Sequence, residues 1–93
     1  MLVILSSKKM YSLLDGQNEG EIIIKDGNTL TLNGNVISIG TFKRDFVEEF
    51  RFKMTISQIN SLRSFLKILQ EQPVSLRFDS ENNCIWIKEA ILG

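Results

Sequence analysis

Along most of this chain apolar and polar residues alternate with period two, and clusters of Gly, Asn and Asp interrupt the alternation at short intervals. Residues 21–25, 28–32 and 35–39 read as the three strands of a meander. Asp26-Gly27 and Asn33-Gly34 between them supply the positive φ values that two-residue type I′ turns need. Residues 46–54 set Phe50, Phe52 and Met54 against Glu49, Arg51 and Lys53, the pattern of a strand with one buried face, and Lys43-Arg44-Asp45 is the turn before it. The apolar opening, residues 1–5, reads as a further strand. Residues 10–14 read as a short strand or turn, and residues 15–20 as a loop by composition.

The period changes after Met54. Thr55-Ile56-Ser57-Gln58 has the S/T-x-x-E/Q form of a capping box, and residues 56–72 are helical in composition and spacing. At 100° per residue, Ile59, Leu62, Phe65, Leu66 and Leu69 share a stripe about 120° wide, which is expected to meet a core. Pro73 ends the helix. Residues 74–79 and 84–87 form a C-terminal hairpin about the polar turn Ser80-Glu81-Asn82-Asn83. A four-residue loop pairs Asp79 with Cys84, Phe78 with Ile85, Arg77 with Trp86 and Leu76 with Ile87. Arg77 and Trp86 then point outward together, while Leu76, Phe78, Ile85 and Ile87 point inward. The sequence shows no internal repeat, linker or low-complexity segment.

Two-residue turns also assign side chains to faces. They set Lys25 opposite Asn28, Ile23 opposite Leu30, Leu32 opposite Asn35 and Leu30 opposite Ile37. One face then carries Ile22, Ile24, Thr29, Thr31, Val36 and Ser38, continues into Phe42, Phe46, Phe50 and Phe52, and takes the helix. The other carries Ile23, Leu30, Leu32, Ile37 and Ile39, a set of large aliphatics that marks an interface if left in water. Two covers are expected for it: residues 1–14, or a second copy in a two-fold homodimer, which adds stability to a small domain.

Composition narrows the classes. Ninety-three residues with 43% apolar content fit one globular domain. Eleven Lys and Arg balance eleven Asp and Glu, which leaves no net charge to drive strong counterion-release binding to nucleic acid. A single cysteine, Cys84, rules out an intramolecular disulfide framework and multi-cysteine zinc patterns. The opening lacks a basic n-region and a small-residue cleavage site, and no apolar run approaches the roughly 18 residues of a membrane span. A soluble, cytoplasmic protein is expected.

Candidate chemistry is sparse. With no histidine in the chain, histidine-based triads and imidazole ligation are excluded, and no serine sits in a G-x-S-x-G motif. The adjacent pair Glu48-Glu49 points to opposite faces of a strand and cannot share a proton. Glu48 itself falls on the phenylalanine face, where a bulge would re-aim it outward. Asp79-x-Glu81-x-Asn83 has the opening spacing of an EF-hand loop, but no glycine follows at position 6 and Ala90 stands where the bidentate glutamate belongs. Asp15-Gly16-Gln17-Asn18-Glu19-Gly20 matches neither a P-loop nor a dinucleotide fingerprint.

The expectation is therefore an α+β domain: an antiparallel sheet made of a meander and a C-terminal hairpin, with one amphipathic helix on one face. Its expected role is a non-enzymatic protein-binding module, of the inhibitor or accessory-subunit type, with no cofactor and no metal. Arg77, Trp86 and Lys88 are the expected partner-binding residues, since Trp and Arg are enriched in hot spots. Ile23, Leu30, Leu32, Ile37 and Ile39 are the expected dimer interface. The alternative is a single-stranded nucleic-acid binder using Lys43, Arg44, Arg51, Lys53, Arg77 and Lys88 with Tyr11, Phe42 and Trp86.

Overall fold

In the computed structural model, which describes residues 2–25, 28–41, 49–69 and 72–90, β1 (Leu2–Ser6) turns directly into α1 (Ser7–Leu14). This helix replaces the short strand or turn expected at residues 10–14. Ser6 caps it, its Oγ accepting from the Lys9 N–H at 3.4 Å, and Met10, Leu13 and Leu14 at i, i+3, i+4 spacing give it one fully buried face. The meander follows as β2 (Gly20–Lys25), β3 (Thr29–Leu32) and β4 (Asn35–Ser38), then a two-residue strand β5 (Gly40–Thr41). The second part of the chain runs β6 (Glu49–Met54), α2 (Ile56–Leu69), β7 (Pro73–Asp79) and β8 (Cys84–Glu89).

The fold is α+β, and the described residues form two helices where one was expected and two antiparallel sheets in place of a single continuous one. Their strand orders are β5-β1-β7-β8 and β4-β3-β2-β6. A repeat invisible in the sequence emerges from this order. Each half of the chain opens with strand, helix and hairpin, the first half continuing into β4 and β5, and each half lends its first strand to the other half's hairpin. β1 pairs with β7, and β6 pairs with β2. Each sheet is therefore completed by a strand from the other half.

The register of the first hairpin corrects the expected faces. Lys25 lies opposite Thr29, Ile24 opposite Leu30 and Ile22 opposite Leu32, one residue away from the two-residue-turn pairing. Asp26 and Gly27 themselves lie outside the described residues. The second turn forms as expected, with Asn33 at φ 50 and Gly34 at φ +89, and pairs Leu30 with Ile37. Because side chains alternate, a slip of one residue exchanges the faces of a whole strand. Ile22, Ile24, Leu30, Leu32 and Ile37 thereby join Phe50, Phe52 and Met54 on a single inward face. The surplus apolar face does not exist.

That inward face is covered from within the chain. Val3 and Leu5 of β1, Met10, Leu13 and Leu14 of α1, Ile59, Leu62 and Leu66 of α2, and Val74, Leu76 and Phe78 of β7 all belong to the same buried cluster. Phe78 spans the two sheets, its ring 5.4 Å from Phe52 and 6.2 Å from Phe50, both tilted. Burying each such side chain contributes about 1.5–3 kcal/mol. Phe65, expected in the helical core stripe, is 41% exposed. Phe42, Phe46, Glu48 and the turn at residues 43–45 lie outside the described residues.

Candidate functional site

The C-terminal hairpin adopts the expected register, with Arg77 opposite Trp86, Phe78 opposite Ile85 and Ser75 opposite Lys88. Leu2, also opposite Arg77, completes a shallow depression on the outer face of the β1 sheet, lined by Leu2, Ser75, Arg77, Trp86 and Lys88. The three expected partner-binding residues, Arg77, Trp86 and Lys88, are therefore brought together and exposed, Trp86 at 61%. The turn of this hairpin is held by Asp79, whose carboxylate accepts from the Glu81 and Asn82 N–H groups at 3.1 and 3.2 Å and from Asn82 Nδ2 at 2.8 Å. Those Asn82 bonds hold the carboxyl below its ordinary range. Asp79 is engaged as a turn residue, and among the described residues no group of Asp, Glu and Cys is placed to hold a metal ion.

The expected dimer interface is dispersed. Leu30 and Leu32 are wholly buried, Ile37 and Ile39 are half-buried against the core, and Ile23 stands on the opposite face of the sheet. That outer face carries Ile23, Thr29, Thr31 and Val36 beside a row of ion pairs. Arg51 donates to Glu21 at 2.8 Å and to Glu49 at 3.0 Å, and Lys25 lies 3.7 Å from Glu49. The Arg51 hydrogen bond lowers the pKa of Glu49, and Glu49 and Glu21 raise that of Arg51. The cations expected to serve nucleic acid are thus divided. Arg51 and Lys53 lie on the β2 sheet, Arg77 and Lys88 on the β1 sheet, Tyr11 is half-buried on α1, and Phe42, Lys43 and Arg44 lie outside the described residues.

The surface that sequence reasoning missed is the pair of helices. α1 and α2 pack against each other, and together they carry Lys8, Lys9, Arg63 and Lys67 but no Asp or Glu. Lys8, Lys9 and Ser12 are exposed on α1, and Asn60, Ser64 and Lys67 on α2. Arg63 lies between the helices, its Nη1 3.9 Å from Asp15 Oδ1 and its Nη2 donating to Asn60 at 3.1 Å. Lys8 and Lys9 stand in the first turn of α1, where the helix dipole disfavours cations, and neither helix has an acid in its first turn. The signal was present in the sequence: Ser6 followed by Met10, Leu13 and Leu14 is a capped amphipathic turn, and reading it would have placed Lys8 and Lys9 on a helix.

A second feature lies on the other flank of α2. An apolar groove of about 370 Å³ separates it from β8, lined by Leu62, Phe65, Ile85 and Ile87 with the hydroxyls of Ser57 and Ser61. Gln58 closes one end, donating through Nε2 to the Asn83 carbonyl at 2.9 Å. No helix among the described residues is long and apolar enough to cross a membrane. Comparison with protein-family models, with curated proteins and with solved structures gives no match for this chain.

Proposed function

We propose that the chain is a non-enzymatic binding module and that its helix pair meets the phosphate backbone of a nucleic acid. One observation carries this reading: a molecule with no net charge places cations and no acids on two neighbouring helices, while the acids among the described residues lie on strands, turns and loops. Net charge argues against polyanion binding only when charge is evenly spread, and here it is segregated. A lysine in the first turn of a helix, as Lys9 is, meets an unfavourable dipole, and its presence favours a role outside folding. Phosphate contacts from Lys and Arg, with Ser and Asn hydroxyls and amides between them, are the ordinary composition of backbone recognition. The reading supplies affinity and no base selectivity.

A protein partner, the first expectation from sequence, keeps support from a different surface. Trp86 with Arg77 and Lys88 forms an exposed aromatic and cationic patch of hot-spot composition. Fluorescence anisotropy with labelled single- and double-stranded oligonucleotides across a salt series separates the two. The helix reading expects log affinity to fall linearly with log salt, and Lys9→Glu and Lys67→Glu each to reduce the slope by about one phosphate contact. Trp86→Ala leaves that binding unchanged. Absence of salt-dependent binding, or slopes that neither lysine variant alters, rejects the helix face as the site.

A further inference from the structure

Strands at sheet edges present unpaired N–H and C=O groups, and natural edges are shortened, bulged, loaded with proline or covered to keep other strands away. β4, at the edge of its sheet, has four residues with α1 packed beside it. β6, the opposite edge of that sheet, alternates the charged Glu49, Arg51 and Lys53 along its length, whereas β8 has six residues, contains no proline and pairs with β7 without a bulge. Among the described residues no strand pairs with its outer edge. Beside that edge runs the groove lined by Leu62, Phe65, Ile85 and Ile87. An open row of backbone donors and acceptors next to an apolar slot fits an added strand, whose backbone meets the edge while alternate side chains enter the slot.

We propose that the added strand is β8 of a second copy of this chain, antiparallel and related by a two-fold axis through Trp86. The alternation of β8 itself argues for this occupant. Directly opposite residues of an antiparallel pair share a face, so a two-fold axis must pass through a residue position. With the axis at Trp86, each tryptophan meets its copy on the outer face. Ile85 of each copy lies opposite Ile87 of the other on the groove side, and Lys88 lies opposite Cys84, whose thiol sits 4.0 Å from the Asp79 carboxylate. Apolar side chains thus meet apolar ones, and the lysine meets the acidic flank. An axis at Ile87 instead sets Glu89 opposite Ile85 on the apolar side, which is costly to bury. The two β1 sheets then run on as one, and this dimer surface is separate from both the helix face and the meander residues expected from sequence.

The test is cysteine cross-linking of otherwise intact protein in a Cys84→Ser background, without nucleic acid. Opposite residues of an antiparallel pair have Cα atoms about 4.5–5.5 Å apart, within disulfide reach. Trp86→Cys is therefore expected to form a covalent dimer under mild oxidation, and Ile87→Cys and Lys88→Cys to remain monomeric on a non-reducing gel. Far-UV circular dichroism checks that each variant is folded. Light scattering of the parent is expected to give twice 10.6 kDa. A parent that is monomeric at tens of micromolar overturns the proposal. So does a folded Trp86→Cys variant that stays reduced.

Discussion

The two halves of the molecule repeat one order of elements, and their helices begin differently. At α2 the box is reciprocal: Gln58 N–H donates to Thr55 Oγ1 at 3.2 Å and Thr55 N–H donates to Gln58 Oε1 at 2.9 Å. At α1 the cap is one-sided, Ser6 accepting from Lys9 N–H, and the side chain that would answer back is a lysine. α2 has 14 residues and α1 has 8, fewer than an isolated helix needs to persist in water. The difference teaches where each helix comes from. α2 is written locally, whereas α1 exists because Met10, Leu13 and Leu14 find a core.

Removing the contact that joins the two sheets, made within the second half, has the largest expected effect. Phe78→Ala should cost about 3–5 kcal/mol, because its ring is 2% exposed and packs on both Phe50 and Phe52. That is a large share of the roughly 5–15 kcal/mol available to a domain, and urea unfolding would show it as a lower midpoint.

Equivalent truncations in the two helices come next. Leu14→Ala and Leu66→Ala, 0% and 1% exposed, should each cost about 2–5 kcal/mol. Since the halves exchange their first strands, Leu14→Ala should lower the midpoint seen by Trp86 fluorescence as much as that seen by circular dichroism. Separate midpoints for the two probes would show that the halves fold independently.

The caps give a smaller and more discriminating pair. Thr55→Ala should cost about 1 kcal/mol. Lys9→Glu should do the reverse, adding about 0.3–1 kcal/mol at low salt, because it completes the box of Ser6 and places an acid in the first turn. The same substitution should weaken nucleic-acid binding, so one variant would be more stable and less active. A Lys9→Glu protein that is destabilised removes the argument that this lysine is kept for a reason other than folding.

The turns provide the last contrast. Asp79 has a lowered pKa in the folded chain, so its contribution is present above the unfolded carboxylate value near 4 and is lost as pH falls through the folded value. The Asn33-Gly34 turn carries no ionisable group. The melting-temperature gap between the parent and Asp79→Asn should therefore narrow from pH 6 to pH 3, while the gap between the parent and Asn33→Ala should hold.

What the sequence determined by itself was local. The Asn33-Gly34 turn, the Thr55 box and the register of the last hairpin each depend on residues within a few positions of one another, and each is found in the structure. The cluster of Arg77, Trp86 and Lys88 follows from that hairpin alone. Tertiary structure decided the rest. It made a helix of residues 7–14, whose length cannot sustain one unaided. It chose the register of Ile22 and Ile24 against Leu32 and Leu30, because only that slip gathers the aliphatics into one core. It also exchanged strands between halves that share no visible sequence repeat, and so packed α1, which carries Lys8 and Lys9, against α2, which carries Arg63 and Lys67. Local patterns are set by neighbours in the chain, and a binding surface is set by which elements a common core draws together.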